Sequence, residues 1–166
     1  MKKNMLDAII YNASIAAIYV VVTLITYPIS YRGIQFRFAE ILMIFAFFRK
    51  EYGFGLTIGC MISNLMSPLG IIDVFFGTLA TLISCILMMY SKHLLVAISF
   101  PVIVNALLVA LELLIVFNEP FLLSVLTVGL GELVVMIVGY IIFMAFKKKK
   151  AHYKFLRFNQ NLDFKF

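Results

Sequence analysis

The chain has 166 residues, of which 64% are hydrophobic and 13% charged, with a mean hydropathy of +1.07. Soluble domains carry roughly 25% charged residues, so this composition excludes an ordinary soluble protein. It predicts an all-α integral membrane protein folded as one bundle. The net charge of +6 does not argue for nucleic acid as a partner, because Lys147 to Lys150 form a block directly behind an apolar run, with Lys154, Arg157 and Lys165 following. That is the pattern of a cytoplasmic anchor beside anionic lipid headgroups.

Six apolar segments follow in chain order: 8–27, 38–48, 53–67, 73–90, 94–117 and 121–146. A helix needs about 20 residues to cross the hydrocarbon core. The second and third segments are therefore expected as short or tilted helices, parted by a turn at Arg49, Lys50 and Glu51. The first run has a basic front but is too long for a signal peptide, and no small-x-small cleavage site closes it. Pro28, Pro68 and Pro120 stand at segment edges, whereas Pro101 falls inside the fifth segment, as a first-turn residue or a kink. Residues 1–146 read as one six-helix membrane domain and 147–166 as a basic tail.

Placing the N-terminus inside puts Lys2, Lys3, Arg49, Lys50, Lys92 and the seven basic residues from Lys147 onward in the cytoplasm, 12 of the 14 Lys and Arg. The positive-inside rule then predicts six crossings with both termini cytoplasmic. Arg32 and Arg37 are the two exceptions, and they share the stretch "YRGIQFRFAE" with Gln35 and Glu40.

With that topology the polar residues converge. Arg37 and Glu40 fall near the outer end of helix 2, Asn64 near that of helix 3, and Asp73 at the outer start of helix 4. Glu112 lies below the outer end of helix 5, with Asn105 on nearly the same face about 10 Å deeper at 1.5 Å per residue. Glu132 lies near mid-membrane. A carboxylate at the bilayer centre costs about 2.5–3.5 kcal/mol, so these residues predict an outward-opening pocket lined with acceptors and amides. The structural alternative is a hydrogen-bonded network that pins the helices, in which Glu112 pairs with Arg37, Asn105 caps a kink and Asp73 is a helix N-cap. Carboxylates beside an amide suit a planar base rich in N–H donors, or a cation. Tyr31, Phe36, Phe75 and Phe76 offer stacking faces near the rim.

Cys60 and Cys85 lie in apolar segments and read as small buried hydrophobes, not as a disulfide or metal pair. No phosphate loop, HExxH or GxSxG motif is present, and His93 and His152 fall in a loop and in the tail. The chain is thus expected to bind rather than catalyse, without metal or cofactor and without hydrolysing ATP itself. Gly55, Gly59 and Ser63 on helix 3, and Ala13 and Ala17 on helix 1, form small-residue faces. Such faces let helices approach closely in lipid. The first is expected to pack within the bundle; the second suits packing within the bundle and docking onto another membrane protein alike.

The ordered set "IQFRFAE" (34–40), "GCMISNL" (59–65), "GIIDVFFGTLATLIS" (70–84), "VNALLVALEL" (104–113) and "GLGELVV" (129–135) resembles the QueT family, from about residue 8 to 146. These are queuosine-precursor substrate-binding (S) components of energy-coupling factor (ECF) transporters in bacterial cell membranes. The resemblance implies a 7-deazaguanine ligand or queuine, and a lid formed by the chain between helices 1 and 2. It also implies partners: a transmembrane coupling protein, met through Ala13 and Ala17, and two cytoplasmic ATPases. Arg37, Glu40, Asn64, Asp73, Asn105, Glu112 and Glu132 match the family's polar positions and are implied to bind substrate. The sequence departs from the usual pattern at Phe38-Ala39, at "SNLMSPLG" and at Thr78. Two other readings use the same residues: an S component for a different vitamin or nucleobase, and a small ion-coupled secondary transporter working through Glu112 and Glu132.

Overall fold

Long apolar runs with few breakers leave the backbone one way to satisfy its own hydrogen bonds in lipid, which is to wind into helices. In the computed structural model, which describes residues 2–30 and 36–147, all regular structure is helical. The elements are α1 (Lys2–Ile25), α2 (Tyr27–Ser30), a 3-10 segment (Phe38–Met43) running into α3 (Ile44–Phe48), α4 (Tyr52–Asn64), α5 (Ile71–Tyr90), α6 (Leu94–Phe117) and α7 (Phe121–Lys147). Their bounds follow the six apolar runs closely.

Four of these helices are long and apolar enough to cross a membrane: α1, α5, α6 and α7. The two short elements are not. Phe38–Phe48 and α4 each extend about 20 Å at 1.5–2.0 Å rise per residue, less than the ~30 Å hydrocarbon core. Neither spans it as a straight rod.

α1 packs on α4, α4 on α5, α5 on α6 and α6 on α7. The 3-10 segment touches both α1 and α7 and joins the ends of this series, while α3 touches α5 and α6. The segment 38–48 is therefore the innermost. Ala39, Met43, Ala46 and Phe47 are fully or almost fully buried, in one core with Tyr19, Leu56, Met88, Leu94 and Met136. Residues 38–48 are buried or half-buried throughout, so their near-continuous apolar character serves mainly the protein interior.

The small-residue face of α4 packs inside the bundle, as expected. A side chain on Gly59 would lie 2.9 Å from Tyr19 Cβ and 3.0 Å from the Ala16 carbonyl of α1. One turn earlier the Gly55 amide donates to Asn12 Oδ1 at 2.7 Å. Ala13 and Ala17 are exposed on α1, outside the Ile15, Ala16 and Tyr19 stripe that meets α4. Pro101 lies inside α6, where it offers the Ala97 carbonyl no N–H. The α6 C-terminus closes on Asn118 in the left-handed conformation (φ 53°, ψ 30°), its amide returning to the Leu114 carbonyl.

The two ends of the bundle differ in chemistry. At one, Arg49 lies over the rings of Tyr11 and Tyr52, each 5.1 Å away, and Lys50 lies over Tyr90 at 4.7 Å. There Arg49 also pairs with Glu51 at 2.6 Å, whereas the buried acids lie toward the opposite end, where α4 passes to α5 and α6 to α7.

Candidate functional site

The seven polar residues singled out in the sequence are all buried, none more than 4% exposed. They gather toward the end of the bundle away from Arg49 and Lys50. Glu40 arrives on the 3-10 segment and Arg37 just before it as its N-cap, Asn64 at the end of α4, Asp73 in the first turn of α5, Asn105 and Glu112 on α6, and Glu132 on α7.

Arg37 stands at the N-cap of the 3-10 segment, and the turn that opens it returns the Glu40 amide to the Arg37 carbonyl at 2.8 Å. Their charged groups lie 3.8 Å apart. The Arg37 guanidinium turns its other nitrogen to Asp73, 3.3 Å from Oδ2 and 3.4 Å from Oδ1. This corrects two structural expectations. Asp73 does not cap α5, whose N-cap is Gly70 with no side-chain cap bond. Nor does Arg37 pair with Glu112: it enters beside the start of α5, where Asp73 meets it.

Asn64 Nδ2 donates to the Asp73 carbonyl at 3.0 Å and reaches Cys60 Sγ at 3.4 Å. Cys60, expected as a small hydrophobe, stands amid polar groups. Its sulfur accepts from Thr81 Oγ1 at 3.1 Å, has Arg37 Nη1 at 4.0 Å, and donates to the Gly77 carbonyl at 3.6 Å. Cys85 is the apolar residue expected; both thiols are free and buried. Gly77 floors the cluster, since a Cβ there would lie 2.5 Å from Asn64 Nδ2, 2.7 Å from Asp73 Oδ1 and 3.3 Å from Arg37 Nη1. Sequence reasoning does not single out Cys60, Gly77 and Thr81 as site residues. Their signal is the four-residue spacing, Cys60 to Asn64 and Asp73 to Gly77 to Thr81, which puts each set on one helix face.

On the other side of Arg37, Asn105 Nδ2 donates to Glu40 Oε2, and Glu132 stands beside both. Glu132 Oε1 has no hydrogen-bond partner. Arg37, Glu40, Asn105 and Glu132 line a cavity with Val109 and Val128, of about 10 Å³, enough for one water. Glu112 stands apart: it is fully buried, and neither carboxylate oxygen has a partner. The Asn64 Oδ1 and Thr78 Oγ1 atoms are likewise buried and unpartnered.

Of the aromatic rim, Phe75 is 64% exposed and packs edge-on against Phe76 at 5.5 Å, so it faces away from the cavity. Tyr31, Arg32 and Gln35 lie outside the described residues, as do part of the expected lid and the tail from 148 onward. No cluster of His, Cys, Asp and Glu suited to a metal ion occurs among the described residues. The arrangement offers carboxylate and amide acceptors beside a guanidinium and an amide donor, the equipment to bind a polar, planar, hydrogen-bonding solute.

The family model described as QueT transporter matches residues 9–148. The chain belongs to the QueT transporter family. A relative in Lactococcus lactis subsp. cremoris (strain MG1363), named "Queuosine precursor transporter QueT", is 37% identical over 155 residues, covering 84% of this chain and 91% of the relative. No solved structure matches. With four helices of membrane-spanning length and composition, this family member is a multi-pass bacterial membrane protein with a role in transport.

Proposed function

We propose that this chain is the substrate-capturing subunit of an ATP-driven, ECF-type importer, and that its solute is a queuosine precursor of the 7-deazaguanine type, or queuine. The observation that carries the reading is the buried set Glu40, Asn105 and Glu132 around one cavity, with Glu132 Oε1 unpartnered. A guanine-like edge presents adjacent ring N–H and amino donors, which one carboxylate takes in a bidentate way while Asn105 fixes orientation. The name of the 37% identical relative supports the same solute. A two-ring base is much larger than one water, so capture moves the side chains around Arg37.

The wider arrangement belongs to the same proposal. The chain crosses six times with both termini cytoplasmic, the short inner elements completing the count. Arg49 and Lys50 share one end of the bundle with Tyr90, which supports that end as cytoplasmic, and the acid-rich end faces outside. Ala13 and Ala17, exposed on α1, support docking on a coupling protein that carries two ATPases. An ion-coupled secondary transporter is favoured by one observation, the unpartnered Glu112. It predicts uptake that an uncoupler abolishes and loss of the ATPases does not.

The test is thermal stability of the purified protein in detergent against queuine, aminomethyl- and cyano-7-deazaguanine, guanine, thiamine, riboflavin and folate. A ligand at 100 times its Kd adds about 2.7 kcal/mol. Stabilisation by deazaguanines alone is expected, with Glu132→Gln weakening binding at least tenfold, about 1.4 kcal/mol. Stabilisation by another vitamin overturns the solute, and unchanged affinity in Glu132→Gln overturns the site.

A further inference from the structure

The bundle interior carries more acid than it neutralises. Four carboxyl groups are buried, those of Glu40, Asp73, Glu112 and Glu132, and among the described residues the one buried cation is Arg37. Arg37 is committed to Asp73 and Glu40, and Glu40 also takes the Asn105 amide. Glu112 receives nothing on either oxygen. Buried charges in folded proteins are paired or hydrogen-bonded, because an isolated one is costly.

The position of Glu112 says where its partner belongs. Asn105, Val109 and Glu112 follow one another at four and three residues on α6, within about 60° of one face at 100° per residue. Asn105 and Val109 line the cavity. Glu112 therefore continues that wall, two turns and about 10 Å from Asn105 along the helix axis. A base held by Glu40, Asn105 and Glu132 would share this wall of α6 with Glu112.

We propose that the site takes a solute bearing a positive charge in addition to its N–H donors, and that Glu112 is the residue that selects for this charge by pairing with an ammonium substituent. This rests on the reading of the cavity as a deazaguanine site and adds which member of that class it prefers. Glu132 and Glu40 read the edge of the base; Glu112 reads the substituent.

Two probes differing at one position decide it: aminomethyl-7-deazaguanine, which is cationic at neutral pH, and cyano-7-deazaguanine, which is not. Their affinities are measured by titration calorimetry on the wild-type protein, Glu112→Gln and Glu112→Asp. The wild type is expected to bind the aminomethyl base at least tenfold more tightly. Glu112→Gln loses that preference while holding the cyano base within about threefold, and Glu112→Asp retains most of it. Equal wild-type affinity for the two probes overturns the proposal without any variant, so a variant that fails to fold does not shield it. A preference surviving in Glu112→Gln, or an equal loss for both probes, also overturns it. Binding of neither probe to the wild type removes the deazaguanine reading itself, and this proposal with it.

Discussion

Gly77→Ala tests whether the polar cluster is as closely built as the distances imply. In most helices this change is favourable by about 1 kcal/mol, because alanine is the better helix former. Here the new Cβ would lie 2.5 Å from Asn64 Nδ2 and 2.7 Å from Asp73 Oδ1. Neither group can retreat freely: Asn64 is bonded to the Asp73 carbonyl and to Cys60, and Asp73 holds Arg37. Overfilling a packed site costs about 1–3 kcal/mol, and separating a buried polar group from its partner costs about 1–3 kcal/mol more. After the helix-propensity gain the expected net loss is about 3 kcal/mol, within a range of about 1–5. At roughly 2–4 °C per kcal/mol for a chain this long, the unfolding midpoint in detergent should fall by about 6–12 °C. Gly53→Ala is the comparator, since its Cβ would collide first with the far end of the flexible Met89 side chain, which can swing away. Its shift should be less than half as large. A Gly77→Ala protein as stable as the wild type would refute the geometry of the Arg37–Asp73–Asn64 cluster.

Asp73→Asn should destabilise by about 3 kcal/mol in the same assay, because it leaves a buried guanidinium with Glu40 as its remaining carboxylate partner. The double change Arg37→Met with Asp73→Leu, which removes both charges, should lie closer to the wild type than the single change; a double variant worse than Asp73→Asn would show that the pair contributes more than mutual compensation. Cys60 and Cys85 are both fully buried, so a thiol-reactive maleimide should label neither in the folded protein, and labelling should follow the unfolding curve on heating. Rapid labelling of the folded protein would contradict the burial of the cluster.

Much of the outline is legible in the chain itself. The limits of the segment 38–48 and of α4 to α7 follow from runs of apolar residues and the turns between them, and these are local: a helix in lipid is specified by its own residues. The seven buried polar positions are legible for the same reason, since a carboxylate inside an apolar run is visible wherever its partner sits. The small-residue face of α4 announces a close neighbour through spacing alone.

What spacing could not decide was who meets whom. Arg37 and Asp73 are 36 positions apart, Asn105 and Glu40 are 65, and no periodicity relates them. Their pairing depends on which helices are neighbours, and that depends on how every face of the bundle is covered at once. The same holds for the segment 38–48, whose apolar character suits lipid contact and burial equally; its place at the centre comes from its contacts with α1, α5, α6 and α7. It explains as well why Cys60, an ordinary small residue in an apolar run, became an acceptor for Thr81 and Asn64, and why Gly77 has to be glycine. Local sequence set the helices and placed each polar group within its apolar run, because winding is decided residue by residue. The tertiary structure alone set the ion pair, the cavity and the unpartnered Glu112, because those are properties of surfaces meeting.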